Sequence, residues 1–414
     1  MPSIFSGDEP HYLLTINSLL LDGDLDLTNN YASVHKGSSQ AGTNFSGAPL
    51  DHQSVWFERG VRQNWENVYE TESDKFDRDA EGHPLPRLRP GQTEPIPGHP
   101  EYSTHPPGMA LLVAPILYPF RHTEFVEPMA IVCSTFAVII AFFLFRSLLL
   151  KYAVSSLSAD LVAIVAFLGT PAWPYGRTLF SEPYLLMCAV GAYSVALRSK
   201  MPLVAGVFIG IGIVIKAPLG LISLPMFAMY LNQRDYASLV RLALPVGLGI
   251  AVIGCLNSIM FGSPLNAAQP WQQGSLVRGV GGMLFSLKYG YLMIAPATVV
   301  AAVAWPSFLR RFPKDGFVIA SGIFLYTLVM ASWKFWNGAT AYAARQEVPV
   351  VPLFCVALIA LPGIQLWQKR GIRIAVFAIC AISIVINGFA AVHYWESWDT
   401  NLPLRLASFL KDQL

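Results

Sequence analysis

Long apolar runs separated by short polar connections make up most of the chain after residue 126. A helix that crosses a bilayer needs about 20 mostly apolar residues, and ten runs come near that length. These runs cover residues 127–147, 157–173, 183–198, 202–216, 217–231, 242–261, 290–306, 316–333, 346–367 and 371–392. The two runs between residues 202 and 231 are short and could form one bent hairpin. The pattern predicts an all-α, polytopic transmembrane helical bundle of about ten spans.

The first 126 residues have a different pattern, which predicts a polar region outside the membrane. They contain 17 of the 26 acidic residues and are rich in Pro and Gly. Apolar residues recur at helical spacing between positions 12 and 20, which predicts an amphipathic helix in the membrane interface that ends at Asp22-Gly-Asp24. The apolar residues 109–120 are too few to span the bilayer and include Pro115 and Pro119, so we expect a re-entrant or interfacial segment.

Lysine and arginine residues cluster on every second connection between the predicted spans. The clusters are Arg146/Lys151, Arg198/Lys200, Arg234/Arg241, Arg310/Arg311/Lys314 and Lys369/Arg370/Arg373. Because cytoplasmic loops carry an excess of these residues, the other connections are expected on the non-cytoplasmic side. The prediction is an external loop region with interfacial helices at 1–126, a transmembrane domain at 127–393 and an external tail at 394–414.

This topology requires the polar region 1–126 to cross the membrane, although no apolar span precedes it in the sequence. Asp8 and Glu9 stand almost at the first residue. We therefore expect the native protein to contain one further helix upstream of Met1, because so polar a region needs a signal or a span to be translocated.

Composition agrees with a membrane protein and argues against several other classes. Charged residues are 13% of the chain and hydrophobic residues are 54%, whereas soluble domains carry about 25% charged residues. The net charge of +2 and the lack of a basic block argue against nucleic acid as a partner. All five cysteines lie within apolar runs, so neither a disulfide framework nor a CxxC metal site is indicated.

Two acidic sites are candidates for catalysis because both are expected at the outer membrane surface. Asp8 and Glu9 stand in the motif Gly7-Asp8-Glu9-Pro10-His11-Tyr12, and Glu182 stands at the threshold of a span. Ionisable residues in a membrane domain are costly to bury and commonly have a function, so each is a candidate site residue. The alternative is that Asp8 and Glu182 only cap the helices that follow them.

Cations and aromatic residues at the same face are candidates for binding the substrate. Arg345 follows Trp336 and Tyr342 in a predicted external loop, Lys216 lies between two short runs, and Arg177 lies in another external connection. The alternatives are that the aromatic residues form an interfacial belt and that the cations snorkel to the interface.

A histidine-rich stretch, His99-Pro-Glu101-Tyr-Ser-Thr-His105, precedes the second apolar segment. Its two histidines and its glutamate could bind a divalent metal, and His105 could also contact the substrate. The spacing matches no common zinc site, and loop histidines usually bind nothing. The sequence indicates no other cofactor.

Carboxylates and cations at one membrane face are what transfer from a sugar-phosphate lipid requires. The departing phosphate needs Arg or Lys to stabilise its developing charge. The acceptor hydroxyl or amine needs a carboxylate to take its proton as it attacks the anomeric carbon.

Three motifs resemble the GT-C superfamily of membrane glycosyltransferases, which includes protein O-mannosyltransferases and the lipid A aminoarabinose transferase. The first, Gly7-Asp8-Glu9-Pro10-His11-Tyr12, looks like the acidic motif of that family's first external loop. The second is Phe261-Gly-Ser-Pro-Leu265 with Leu284-Phe-Ser286 and Tyr289-Gly290. The third, Trp336-Asn-Gly338 followed by Tyr342-Ala-Ala-Arg345, is similar to a Trp-Gly-Gly…Gly-x-Arg pattern in bacterial members.

The resemblance extends over nearly the whole chain, and it implies that Asp8 is the catalytic base and Glu182 a second acid near the substrate. The chain departs from the family at two points. The family's first transmembrane helix is missing here, and Ala343-Ala344 stand where a glycine is expected beside Arg345.

We expect a glycosyltransferase that moves a sugar, with inversion, from a polyprenyl-phosphate donor to a glycan, lipid or protein acceptor. The expected location is the non-cytoplasmic face of a bacterial inner membrane. Asp8 would activate the acceptor, Arg345 with Lys216 or Arg177 would hold the phosphate, and Glu182 would orient the acceptor or a metal.

The alternative from another class is a transporter or lipid flippase without chemistry. Transporters usually show inverted repeats and ionisable residues near the midplane of the bilayer, and the sequence has neither pattern. A structural subunit of a cell-wall complex is a third alternative.

Overall fold

The structure is a computed structural model that describes residues 8–35, 52–67, 77–78, 84–85, 99–123, 125–338 and 341–392, with residues 403 and 405. It is 73% helical and 4% strand, so the predicted all-α class is confirmed at this level.

The helices are α1 (Glu9–Asn17), α2 (Thr28–His35), α3 (Gly108–Leu117), α4 (Val126–Leu149), α5 (Ser156–Leu168), α6 (Ala172–Tyr175), α7 (Glu182–Leu197), α8 (Pro202–Ile215), α9 (Leu224–Asn232), α10 (Tyr236–Phe261), α11 (Leu276–Phe285), α12 (Tyr291–Ile294), α13 (Ala297–Arg311), α14 (Pro313–Ser332), α15 (Val351–Phe354) and α16 (Arg370–Val392). The strands are β1 (His52–Glu58), β2 (Val61–Asn67), β3 (Asp77–Arg78), β4 (Pro84–Leu85) and β5 (Tyr102–Ser103). Short 3₁₀ helices cover Tyr118–Phe120, Ala217–Ser223, Arg345–Glu347, Cys355–Gly363 and Gln365–Gln368.

Among the described residues, four helices are long and apolar enough to cross a membrane. They are α4, α10, α14 and α16, with 20 to 26 residues each, and they coincide with four of the ten predicted spans. On this ground the chain is a membrane protein. Apolar helices of 10–17 residues lie where most of the other spans are predicted.

The chain forms two compact units. The head unit comprises residues 1–131 and 251–270, and the bundle unit comprises residues 132–250 and 271–414. The sequence pattern predicts a head region that ends at residue 126. The structure adds residues 251–270 to the head unit.

A three-stranded antiparallel sheet in the order β2-β1-β5 forms part of the head unit. Val55 of β1 pairs with Asn64 of β2 and with Tyr102 of β5. Val55 is also buried against Phe261 and Ala268. The helical prediction missed this sheet, because a short strand in a polar region gains its stability from side chains that are distant in the sequence.

Helix α1 and the π-helical turn Ser18–Asp22 cover the predicted interfacial helix. Gly23 follows with a left-handed φ of +79°, which is typical of a helix end, so the predicted end at Asp22-Gly-Asp24 is confirmed. The prediction that this helix is amphipathic is wrong, because all nine residues of α1 are buried, Glu9 included. Helix α1 packs against α3 and β5, whereas Leu21 in the π-helical turn is 40% exposed. The location of this segment in the membrane interface stays a prediction.

The second apolar segment of the head region, predicted to be re-entrant or interfacial, is helix α3 with the 3₁₀ helix Tyr118–Phe120. Pro115 lies inside α3. The helical part of the segment has ten residues, which is about half of what a single span requires.

Glycines in the bundle unit let helices α8 and α10 approach closely. A Cβ atom built on Gly210 would lie 2.4 Å from the carbonyl oxygen of Pro245, and one built on Gly249 would lie 2.5 Å from the carbonyl oxygen of Gly210. Small residues at such contacts are typical of helix packing in membranes. Beyond α8 the chain continues through the 3₁₀ helix Ala217–Ser223 into α9.

Candidate functional site

Glu182, Lys216 and Arg345 meet in the bundle unit although they are far apart in the sequence. Glu182 is the first residue of α7 and is 2% exposed. Its Oε1 atom lies 3.6 Å from Lys216 Nζ and 3.9 Å from Arg345 Nε. A buried carboxylate is tolerated as an anion only when it is paired, and here one oxygen faces two cations. We call these three residues the charge cluster.

A break between two helices brings Lys216 to the charge cluster. Helix α8 ends at Ile215, and Lys216 has extended backbone, with φ −158° and ψ 108°, before the next 3₁₀ helix begins. Lys216 Nζ also donates a hydrogen bond of 2.5 Å to Oε1 of Gln346. The break therefore turns a residue between two apolar runs into part of a polar site.

Gly338 and the aromatic ring of Phe180 fix the position of Arg345. The guanidinium lies over the Phe180 ring, 4.8 Å from its centroid, and Arg345 is 8% exposed. Gly338 has a φ of +77°, and a Cβ atom there would meet Arg345 Cγ at 2.5 Å. A snorkelling arginine would place its guanidinium in the interface, so that alternative does not describe Arg345.

The loop before Arg345 has a left-handed residue, Ala343, near the position where the family resemblance implies a glycine. Ala343 has a φ of +58°, a left-handed conformation that costs a residue with a Cβ atom about 1–2 kcal/mol. Tyr342 is buried, its hydroxyl donates a hydrogen bond to Asn387, and its carbonyl accepts one from Tyr175. Tyr342 therefore anchors this loop, and its hydrogen bonds within the described chain do not reach the charge cluster.

Arg177 and Trp336 lie in the bundle unit but outside the charge cluster. Arg177 is exposed, and its guanidinium donates a hydrogen bond to the carbonyl of Ala391. Trp336 is half-buried, and its ring meets that of Tyr289 edge to face at 5.9 Å. In the described part of the chain, neither side chain forms an ion pair or hydrogen bond with Glu182.

Glu347 lies two residues after Arg345, but no motif or spacing in the sequence marks it as a candidate. Glu347 is 4% exposed, and its Oε2 atom accepts a hydrogen bond of 2.6 Å from Thr327. Its Oε1 atom has no hydrogen-bond partner within the described residues. The one signal in the sequence is that acidic residues are rare after position 126, where Glu347 is one of nine.

Glu347 and Thr327 are among the lining residues of a mostly apolar groove of about 780 Å³. Helices α13 and α14 form its walls, with Trp305 and Phe324 among the lining residues. On α14 the lining residues run from Phe317 to Thr327, ten positions apart, so the groove follows about 15 Å of this helix. An apolar cleft with a few polar groups is the usual form of a small-molecule site, and this one has the length and lining for an alkyl or prenyl chain.

In the head unit, Asp8 faces His105 rather than the backbone of the helix that it precedes. Asp8 stands at the N-cap of α1, but its side chain makes no capping hydrogen bond, so the capping interpretation is wrong. Its Oδ2 atom lies 3.7 Å from His105 Nδ1, and its side chain is 22% exposed. Glu9 is 1% exposed. Of the two adjacent carboxylates, Asp8 is therefore the accessible one.

Neighbouring rings hold His105 in place. The centroid of its imidazole lies 5.2 Å from the ring of Tyr12 and 5.6 Å from that of His11. His11 Nδ1 is 3.0 Å from the hydroxyl of Tyr31, and that hydroxyl donates a hydrogen bond of 3.0 Å to the carbonyl of Gln53. Because Tyr31 uses its proton there, His11 is assigned as the donor from Nδ1.

No protein-family model, curated protein or solved structure matches the chain. The resemblance to the GT-C superfamily therefore stays an expectation. One fold can carry many activities, so the chemistry of the site is a better guide to function than the fold.

The metal hypothesis for the stretch His99–His105 finds no support in the structure. No group of three or more His, Cys, Asp or Glu side chains that could hold a metal occurs among the described residues. His105 instead pairs with Asp8, and Glu101 is buried with its backbone N–H bonded to Asp26.

Proposed function

We propose that the chain is an inverting membrane glycosyltransferase that moves a sugar from a polyprenyl-phosphate donor to an acceptor on the non-cytoplasmic face. The observation that carries this proposal is the charge cluster, in which Lys216 and Arg345 share one oxygen of the buried Glu182. Two cations this close together favour an anionic ligand with several acceptor oxygens, such as a phosphate.

In the proposed site, Arg345 and Lys216 bind the donor phosphate and stabilise the charge that develops on it as it leaves. Glu182 keeps both cations in position and orients the acceptor. Gln346 offers a further donor, because its buried Nε2 atom has no hydrogen-bond partner in the described chain. A phosphate oxygen would satisfy that amide.

The apolar groove supports a lipid-linked donor. Its lining includes Glu347, two residues from Arg345, and residues of α13 and α14 as far as Leu309 and Phe317. A prenyl chain whose phosphate is held by Arg345 could extend into it. Each buried CH₂ group contributes about 0.8 kcal/mol, so the chain would supply much of the binding free energy.

Asp8 supplies the base in this proposal. The acceptor hydroxyl gives its proton to Asp8 while its oxygen attacks the anomeric carbon from the face opposite the phosphate. The bond between the anomeric carbon and the phosphate oxygen breaks, and its electron pair leaves with the phosphate, so the configuration inverts. The greater exposure of Asp8 supports this role over one for Glu9.

The proposal includes the finer topology. Short apolar helices complete about ten spans, and residues 1–126 and 394–414 lie on the outer face of a bacterial inner membrane. The basis is the alternation of Lys and Arg clusters along the connections. The acceptor is then a glycan, a lipid or a protein that is accessible from that face.

A transporter or lipid flippase remains the alternative, because buried charges also mark transport pathways. The purified protein in liposomes would be given a polyprenyl-phosphate hexose or pentose labelled in the sugar, with an extract of envelope glycolipids and glycans as acceptor. We expect labelled product and an equal amount of released polyprenyl phosphate, both lost in Asp8→Asn. Movement of intact donor across the bilayer without cleavage would contradict the proposal.

A further inference from the structure

We infer that His105 is a positioning residue for Asp8, which it holds by a contact between Nδ1 and the carboxylate. This inference rests on the proposed function, in which Asp8 is the base. The two side chains are 97 positions apart in the sequence, yet His105 Nδ1 and Asp8 Oδ2 are 3.7 Å apart. Both are mostly enclosed, with 11% of His105 and 22% of Asp8 exposed.

The fold of the head unit brings these two residues together. Asp8 begins α1, and His105 lies in the turn between β5 and α3. Strand β5 pairs with β1 through Ser103 and Ser54, and the backbone N–H of His105 donates a hydrogen bond to the Ser103 hydroxyl. Because α1 packs against both α3 and β5, the contact is fixed by the packing of three elements.

Two neighbouring rings also restrain the imidazole. Tyr12 and His11 contact it from α1, and His11 is itself fixed by the hydroxyl of Tyr31. Among the described residues of the head unit, the titratable groups that contact it include Asp8, His11 and Tyr12, and the buried Glu9 is next to Asp8. Few rotamers remain open to a ring held in this way, so its Nδ1 atom stays directed at one oxygen of Asp8.

A carboxylate base works best when one oxygen is held and the other meets the acceptor. A neutral His105 with its proton on Nδ1 donates to Oδ2 of Asp8, and Oδ1 is then turned towards the acceptor hydroxyl. The acceptor proton moves to Asp8, and His105 keeps its own proton throughout. The distance of 3.7 Å is longer than a hydrogen bond, and such contacts commonly shorten when the substrate is bound.

Two substitutions separate the nitrogen of His105 from its ring. His105→Phe keeps a ring against Tyr12 and His11 but removes Nδ1. His105→Asn loses the ring but places an amide N–H close to the Nδ1 position. If His105 only fills space, Phe should be the better replacement. If His105 positions Asp8 through Nδ1, Asn should be the better replacement. His122→Phe, at an exposed histidine of the same unit, is the control.

The experiment measures kcat with a polyprenyl-phosphate hexose labelled in the sugar, the dissociation constant of polyprenyl phosphate, and the thermal unfolding midpoint. We expect His105→Phe to lower kcat about 10- to 100-fold, the cost of a misplaced catalytic group. The dissociation constant and the midpoint should stay close to those of the wild type, and His105→Asn should recover most of the lost kcat.

Four outcomes would overturn the inference. Normal kcat in His105→Phe, or equal losses in the Phe and Asn variants, would remove the positioning role while the proposed function stood. If His105→Phe fails to fold, His105→Asn decides alone. A His105→Asn variant with a normal midpoint but a kcat as low as that of Asp8→Asn would contradict the inference. A wild-type chain without any sugar transfer would refute the proposed function and this inference with it.

Discussion

The absence of a side chain at Gly338 is what allows Arg345 to reach Glu182. A Cβ atom on Gly338 would stand 2.5 Å from Arg345 Cγ, 2.7 Å from Nε and 2.9 Å from Cδ. The glycine also has a φ of +77°, which residues with a Cβ atom rarely adopt. The loop glycine and the buried arginine thus form one structural unit.

Replacing Gly338 by Ala should therefore displace Arg345 from the charge cluster. We expect the dissociation constant of polyprenyl phosphate to rise about tenfold, which corresponds to about 1.4 kcal/mol. Gly247→Ala is the matched control, because a Cβ atom there meets nothing within 4 Å. Equal binding by the two variants, measured by titration in detergent, would show that the close contact does not govern ligand affinity.

The left-handed backbone at Ala343 gives a prediction for stability. Ala343→Gly removes the strain of φ +58°, and the loss of about 0.5–1 kcal/mol from the greater chain entropy of glycine only partly offsets this gain. We expect a rise of about 0.5–1 kcal/mol in the free energy of unfolding. Ala344→Gly, where φ is −75°, should lower it instead, and chemical denaturation of both variants checks the sign.

The three candidate cations should differ in their effect on donor binding. Lys216→Ala and Arg345→Ala each remove a charged donor from the cluster, so each should weaken polyprenyl phosphate binding about 10- to 100-fold. Arg177→Ala should change it less than twofold, because Arg177 donates to the Ala391 carbonyl and not to the cluster. A large effect of Arg177→Ala would place the phosphate elsewhere.

Asp8 and Glu9 can be separated by charge-neutral substitutions of similar size. Asp8→Asn cannot take a proton, so turnover should fall by about two to four powers of ten, while polyprenyl phosphate binding is unchanged. Glu9→Gln should lower turnover less, because Glu9 is buried and Asp8 is the accessible carboxylate. Near-normal turnover in Asp8→Asn would exclude it as the base.

The pair of Glu347 and Thr327 should be coupled in stability. Thr327→Val removes the hydrogen bond to Glu347 Oε2 and should cost about 1–3 kcal/mol, because it leaves a buried carboxylate without that donor. Glu347→Gln removes the charge, so adding Thr327→Val to it should cost less. Unfolding of the two single variants and the double variant gives the coupling energy, and additive losses would show that the bond contributes nothing.

The sequence predicts those features of the fold that depend on local pattern. Four long apolar runs are long helices, and the glycine after Asp22 ends the turn that follows α1 because only local backbone geometry is involved. The sheet of the head unit was not predictable in this way. Its strands β1 and β5 are more than 40 residues apart, and neither carries a pattern that identifies its partner.

The candidate site shows the same limit. Glu182, Lys216 and Arg345 could each be picked out because charges are rare after residue 126, but their pairing depends on packing. Arg177 is five residues from Glu182 in the sequence, and it nevertheless binds the carbonyl of Ala391. Glu347 was missed because no local signal distinguishes a buried carboxylate from an exposed one.

Glu182 also determines how an anion would enter the cluster. Lys216 and Arg345 already interact with its carboxylate, so an incoming phosphate must compete with a resident counter-ion. Binding is then an ion exchange, in which the gain from the new contacts is reduced by the loss of the old ones. Small free anions such as inorganic phosphate would gain little from this exchange, and only a ligand with additional contacts, such as a long apolar chain, would bind tightly. The cluster would in this way reject the abundant soluble phosphates without any gate.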